Sequence, residues 1–139
     1  GDHRDLHSFP TRRSSDLHVE VPSIRLQDLK ERPPQGSVEL AARVLAARER
    51  QRGRFDADHP APVNASLTAA AIYRECPVTP AGQTLLDAAF ERLGLSARAL
   101  HRVLKVARTI ADLSACERIE PAHLAEAIQY RSLDRRMGK

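Results

Sequence analysis

The sequence predicts an all-α fold, a small helical bundle of four to five helices. Three observations predict it. The stretch from Ser96 holds apolar residues at the i, i+3, i+4, i+7 spacing of a helix face throughout. Residues that start helices (Ser37, Thr68, Thr79-Pro80, Ser96, Pro121) and glycines that end them (Gly53, Gly94) bracket successive segments. Strand-like alternation occurs once, in His18-Val19-Glu20-Val21-Pro22.

Taken in order, His18 to Pro22 reads as an orphan strand, because a lone strand leaves its backbone groups unpaired. Residues 23–35, with Pro33 and Pro34, read as a linker with one helical turn near Leu26 to Leu29. Ser37 is expected to cap a helix to about Arg52, burying Val38, Ala41, Val44, Leu45 and Arg48 on one face and closing at Gly53. Asp56 to Val63, with Pro60 and Pro62, is an irregular connection. Ser66 or Thr68 starts a short helix to about Glu75, before Pro77. Thr79 opens a third helix with Pro80 in its first turn, Leu85, Ala88, Ala89 and Leu93 as its stripe, and Gly94 as its end. Ser96 caps the fourth helix, to about Ala115, whose buried stripe is Leu100, Val103, Leu104, Ala107, Ile110, Ala111 and Ser114. Arg98, Arg102, Lys105 and Arg108 are expected on its opposite, solvated side. A fifth helix runs from Pro121 to about Arg131 and buries Leu124, Ala127 and Ile128.

Composition narrows the function. The chain has 139 residues, a formal net charge of +4 and 4% aromatic residues with no Trp. One domain, with a core of Ala, Leu, Val and Ile, fits that length. No apolar run approaches the ~20 residues of a membrane span, so no membrane role is expected. Two cysteines, Cys76 and Cys116, predict free thiols in a reducing, cytoplasmic setting rather than a disulfide scaffold. Both are read as inert, and Tyr73 and Tyr130 as packed with their hydroxyls at the edge of the bundle.

Residues 1–17 (GDHRDLHSFPTRRSSDL) follow neither period. They resemble the forward translation of a short-read sequencing adapter, codon by codon from Gly1 to Asp16, with one further base completing Leu17. The run is therefore read as foreign and disordered, and the remainder of the chain as a C-terminal piece of a longer protein. It holds three Arg and three Asp, so the rest of the chain keeps the whole +4. The division expected is 1–17 foreign, 18–36 orphan strand and linker, 37–136 helical domain, and 137–139 tail.

Motifs for chemistry are few. No G-x-x-x-x-G-K-[ST] loop occurs. His18, His59, His101 and His123 are dispersed and the cysteines stand far apart, so no metal set is expected. Asn64-Ala65-Ser66 fits a glycosylation sequon, to which no meaning is attached without a secretory signal. Gly94-Leu95-Ser96-Ala97-Arg98-Ala99 is the informative stretch. An Arg in the first turn sits beside free backbone N–H groups and the positive end of the helix dipole. That is unfavourable for a cation by a few tenths of a kcal/mol. It becomes useful when an anion arrives, since fork and helix end can bind phosphate oxygens together. A merely solvated Arg98 is the plain alternative. Arg102 and Lys105 extend the same face as further candidates for a phosphate or subunit contact. Arg48, Arg50, Arg52 and Arg54 crowd the end of the first helix, where they suit its dipole and could touch nucleic acid. With no aromatic interleaving, single-strand stacking on a basic face is disfavoured.

Five blocks carry a family resemblance: Leu17–Pro22 (LHVEVP), Ala47–Phe55 (ARERQRGRF), Asn64–Leu67 (NASL), Glu91–Leu113 (ERLGLSARALHRVLKVARTIADL) and Ile119–Arg135 (IEPAHLAEAIQYRSLDR). The last two are specific and the others supporting. Together they resemble the C-terminal end of the Mg-chelatase-like AAA+ ATPases, in particular the ComM/YifB branch. The resemblance implies a helical lid after an ATPase core, with Arg98 as the sensor-2 arginine that contacts nucleotide phosphates. It also implies an intact parent that uses ATP and Mg2+, assembles as a homo-oligomeric (hexameric) ring, and moves on DNA to promote branch migration in natural transformation. The family's L-L-D-R-I-D block, with its arginine finger, would precede LHVEVP, but the adapter run stands there, so Arg4, Arg12 and Arg13 inherit no role. Leu100 stands where the family often has Tyr. Walker A, Walker B and sensor-1 segments are not in this sequence, so the chain alone is expected to bind no cofactor and hydrolyse no ATP. Two alternatives stand beside this reading: an autonomous basic helical module that binds DNA, and a fragment of a magnesium-chelatase ATPase subunit of tetrapyrrole synthesis.

Overall fold

The computed structural model describes residues 17, 19, 21–27, 30 and 36–132. The adapter-like run before Leu17, His18 and Glu20 of the expected strand, Pro33 and Pro34, and everything after 132 lie outside the described residues. Five α-helices and one short 3-10 turn make up the rest: α1 Ser37–Arg52, the turn Asn64–Ser66, α2 Ala69–Glu75, α3 Pro80–Leu93, α4 Ala97–Leu113 and α5 Pro121–Ser132.

Local chemistry fixes most of these limits. Thr68, rather than Ser66, caps α2, its hydroxyl accepting the Ala71 N–H at 3.2 Å. Thr79 does the same for α3 through Gly82, with Pro80 next in the chain. Ser96 caps α4 by accepting the Ala99 N–H at 3.2 Å. Gly94 ends α3 at φ 56°, and the Leu95 N–H reaches back to the Phe90 carbonyl. A left-handed residue is required there, and glycine adopts it without a Cβ clash. Gly82 answers a different need: a Cβ at that position would stand 2.7 Å from Val78 Cγ1 and 3.1 Å from the Ile119 carbonyl.

α4 is the hub, packing against α1, the 3-10 turn, α2 and α5, while α3 packs on α5. The core between them is Leu67, Ile72, Cys76, Leu86, Val103, Leu104, Ala107, Ala111, Ile119, Leu124 and Ala127. Alanines at the α4 contact positions let its neighbours approach closely. The loops before α3 and α5 are tied by one parallel bridge between Val78 and Ile119, in which the Ile119 N–H donates to the Pro77 carbonyl at 2.8 Å and the Thr79 N–H to the Ile119 carbonyl at 3.0 Å.

Five expectations are corrected. The segment from Leu17 to Pro22 forms no strand among its described residues. Val19 and Val21 are exposed, for no second strand is present among the described residues to pair with. A turn does form near Leu26, closed by the Lys30 N–H on the Gln27 carbonyl. Gly36, not Ser37, is the N-cap of α1, its N–H held by the Glu39 carboxylate at 3.2 Å. The expected face of α1 is bare: Val38 is 83% and Leu45 64% exposed, whereas Ala47 and Gln51 are buried. Only the last turns of α1 reach α4, so the periodic stripe ahead of them has nothing to cover it. On α3 the buried stripe is rotated to Gly82, Leu86 and half-buried Leu85 and Ala89, with Ala88 exposed, because the close approach at Gly82 sets which side faces α5. Tyr73 is exposed rather than packed.

Candidate functional site

The first turn of α4 is the site that the sequence singles out. Its polar ends are arranged as expected: Ser96 takes the Ala99 N–H, leaving the amides of Ala97 and Arg98 pointing out along the helix axis. Arg98 is exposed and meets no carboxylate among the described residues. One turn on, His101 receives Tyr73 from α2. The Tyr73 hydroxyl lies 3.2 Å from His101 Nε2, and the rings meet edge-on with centroids 5.6 Å apart.

The other two candidates are placed differently. Lys105 donates its ammonium to the Ala65 carbonyl at 2.8 Å, closing the 3-10 turn onto α4. Arg102 is half-buried and itself engaged. Both line a groove between α4 and α5 with Val106, Ile110 and Tyr130, and Arg98 stands outside it. The structure therefore keeps Arg102 and Lys105 together and leaves Arg98 apart.

Arg108 is the clear correction. Expected on the solvated face, it is 1% exposed and lies at the centre of a buried polar network. Its Nε donates to Asp112 Oδ1 at 3.2 Å, and its terminal nitrogens donate to the Glu117 and Cys116 carbonyls. Asp112, 0% exposed, also accepts a two-pronged contact from Arg54, with Nη1 to Oδ2 at 2.8 Å, and a bond from Asn64 Nδ2 at 2.8 Å. Asn64 in turn donates to Thr109 Oγ1, accepts from Arg54, and offers its backbone N–H to Gln51 Oε1. Arg50 caps the network from outside by donating to the Asp112 carbonyl at 3.1 Å. Burial pulls the Arg108 guanidinium below the usual arginine range, and the Asp112 charge opposes that pull. Two guanidiniums thus share one buried carboxylate, with every oxygen of that carboxylate satisfied.

This network joins three of the sequence blocks, ARERQRGRF, NASL and the TIADL end of the fourth: Gln51, Arg54, Asn64, Thr109 and Asp112 are one cluster in space. It also withdraws Arg54 from the set of arginines that could touch nucleic acid, whereas Arg50 stays exposed. Sequence reasoning missed Asp112, because on the helical wheel it falls on the charged side with Arg98 and Lys105, and no neighbour in the chain signals its burial.

One grouping not expected from sequence is Cys116, Glu120 and His123, whose ligand atoms lie within 4.8 Å of one another. His123 Nδ1 accepts the Glu120 N–H at 3.1 Å and so starts α5. A neutral imidazole that accepts at Nδ1 carries its proton on Nε2, so no ring lone pair is left for an ion. The grouping is a helix cap.

A five-helix bundle built around one central helix, with an exposed arginine at that helix's start, is a small all-α C-terminal lid domain. The family described as "Magnesium chelatase, subunit ChlI C-terminal" matches residues 34–131, and the chain belongs to it. Relatives are similar over most of the chain. Competence protein ComM of Haemophilus influenzae is 39% identical over 126 residues, 89% of this chain and 24% of that protein. An uncharacterized protein, YifB, of Escherichia coli is 41% identical over 103 residues, 74% of this chain and 19% of its own length. The chain thus spans a quarter or less of the curated relatives it matches. No helix among the described residues is long and apolar enough to cross a membrane.

Proposed function

We propose that this chain is the phosphate-sensing lid of an ATP-hydrolysing AAA+ ring motor of the ComM/YifB type, in which Arg98 meets the phosphates of bound ATP. The observation that carries the proposal is the state of Arg98: exposed, without an acidic partner among the described residues, and beside outward-pointing amides of a capped helix. A cation in that position is held against the helix dipole, and a phosphate oxyanion resolves the conflict. The chain supplies hydrogen-bond donors to the phosphates. The Walker loop and Mg2+ ligands would come from the AAA+ core, and an arginine in trans from the next subunit of a homo-oligomeric, hexameric ring.

Attachment to such a core accounts for the uncovered surface. Among the described residues, all exposed large apolar side chains except Tyr73 and Phe90 precede residue 46. The face Val38, Ala41 and Leu45 of α1 would pack on the core, and Leu17 to Pro22 would pair with its sheet. Phosphate occupancy at Arg98 would then bias the angle between lid and core, which is a switch because contacts differ between the two states. Moving on DNA to promote branch migration during natural transformation is the activity proposed for the whole cytoplasmic motor.

The test is Arg98→Ala in the full-length protein. ATP turnover is expected to fall strongly while the helical circular dichroism spectrum stays unchanged, and Arg98→Lys is expected to recover only part of the turnover because a point charge replaces a fork. Unaltered turnover in Arg98→Ala would overturn the role.

A further inference from the structure

We propose that the trough between α1 and the C-terminal end of α4 seats a segment of the AAA+ core of the same polypeptide, with an aliphatic side chain entering the trough and a neighbouring carboxylate pairing with Arg48. This rests on the attachment to a core argued above and gives that contact its chemistry.

The trough is about 370 Å³, well above the ~150 Å³ that takes a benzene-sized apolar group. Its walls are Val44, Ala47, Val63, Ala65 and Leu113, and Arg48 stands at its rim. The polar groups of its floor are already bonded to one another: Gln51 Oε1 takes the Asn64 N–H, and Asn64 Nδ2 donates to Thr109 and Asp112. A side chain entering from outside therefore meets apolar walls, and Val44 is 49% exposed without a cover.

Arg48 is not explained by the fold. Of the arginines in ARERQRGRF, Arg50 and Arg54 bond to Asp112, and Arg52 lies in the last turn of α1, where the dipole favours a cation. Arg48 precedes that turn, is exposed, and meets no carboxylate among the described residues. It lies one turn beyond both Val44 and Leu45, and so joins the trough to the outer face of α1. An occupant that fills the trough passes beside this guanidinium, and a carboxylate there gains a planar, two-pronged partner.

The surroundings select the occupant. Among the described residues no acidic side chain lines the trough, so a second copy using the same patch brings no counter-charge. One cation on an apolar trough is too little for a nucleic-acid backbone, whose binding rests on several phosphate contacts. A core joined through residues 23–36 is within reach: that segment spans at most about 50 Å, and Arg48 stands about 16 Å along α1 from Ser37. Such a tether holds the partner at roughly millimolar effective concentration, at which a small contact is occupied.

The experiment is photo-cross-linking in the full-length protein, with p-benzoylphenylalanine replacing Val44 in the trough or, separately, Val38 on the outer face of α1. Mass spectrometry of the linked peptides, in protein mixed from light and heavy-isotope subunits, tells a partner in cis from one in trans. Position 44 is expected to couple to a core peptide of its own subunit that carries Asp or Glu. Arg48→Glu should cut that yield about tenfold by setting like charges against each other, with the helical circular dichroism spectrum unchanged. Arg48→Lys should keep most of the yield, and exchanging the acid of the linked peptide for lysine should restore it in Arg48→Glu. An equal yield in Arg48→Glu, or a linked peptide without an acid, overturns the proposal. If position 38 couples to the core while position 44 couples to nothing, to another subunit or to DNA, the proposal is overturned and the core attachment stands. If neither position couples to the core, both fall.

Discussion

The two ends of α4 carry charged side chains on the same side of one helix, and they meet opposite fates. At 100° per residue, Arg98, Arg102, Lys105 and Asp112 fall within about 80° of one another. At the N-terminal end that face is bare, and Arg98 stands in solvent. At the C-terminal end α1 and the 3-10 turn lie over it, and Asp112 is 0% exposed. A charged side chain under cover must be paired and hydrogen-bonded, and one in the open need not be. The C-terminal half therefore locks the fold, and the N-terminal half is left available to bind. Breaking the closed half should cost far more stability than breaking the open half, and only changes in the open half should affect phosphate binding.

The largest effect is expected at Asp112. Asp112→Ala leaves the Arg54 and Arg108 guanidiniums facing each other in the interior without a counter-charge. The loss should be about 3–5 kcal/mol, enough to unfold much of a domain of ordinary stability. Urea denaturation followed by circular dichroism reads it directly. Asp112→Asn keeps the shape and removes the charge, and should cost nearly as much. A small loss in both variants would show that the network is ornamental and the comparison false.

Ser96→Ala probes the open end. Losing the single cap on the Ala99 N–H should reduce stability by about 1 kcal/mol, visible in the same denaturation series. Arg98→Ala in that series should not destabilise the chain, since it removes a cation from the positive end of the dipole. A stability loss at Arg98 matching that at Asp112 would mean the two ends are not divided in the way described.

Ala115 offers a smaller test with the opposite sign. α4 ends as α3 does, with a left-handed residue, but at φ 59° the residue is alanine where α3 has Gly94. The strained turn brings the Cys116 N–H to the Ala111 carbonyl at 2.9 Å and aims the Cys116 and Glu117 carbonyls at Arg108. Ala115→Gly relieves about 1–2 kcal/mol of left-handed strain against a somewhat smaller entropic penalty of glycine, for a net gain of about 0.5 kcal/mol.

Legibility in the sequence divides along the same line. Caps and stops depend on residues adjacent in the chain, so Thr79, Pro80, Gly94 and Ser96 announced α3 and α4 with nearly correct ends. Arg98 was legible because it is local to its cap. Arg108 was not. On the helical wheel it sits about 40° from Leu104, at the border between the apolar and the charged sides, and only the arrival of Arg54 and Asn64 from distant segments decides that it is buried. α1 differs for the reverse reason: its period predicts burial, yet burial needs a partner as well as a pattern, and only Ala47 and Gln51 are buried.

Cys76 sharpens the comparison from the closed side. Buried at 4% exposure, its thiol is pushed up to about 11 by burial, with Arg108 and Arg54 pulling the other way. In the unfolded chain the same thiol ionises near 9.0. Below that pH both states hold the proton and stability is indifferent to the group. Between about 9 and 11 the unfolded state gives up its proton first and binds fewer, so the folded state loses ground as pH rises, and the loss is complete above the folded value. The urea midpoint of the native chain should therefore fall across that window more than that of Cys76→Ala. Iodoacetamide at neutral pH should label half-buried Cys116 well before Cys76. Equal labelling rates would mean that the core around Cys76 opens as readily as the half-buried turn that follows α4, and that the closed half is not held shut by its cover.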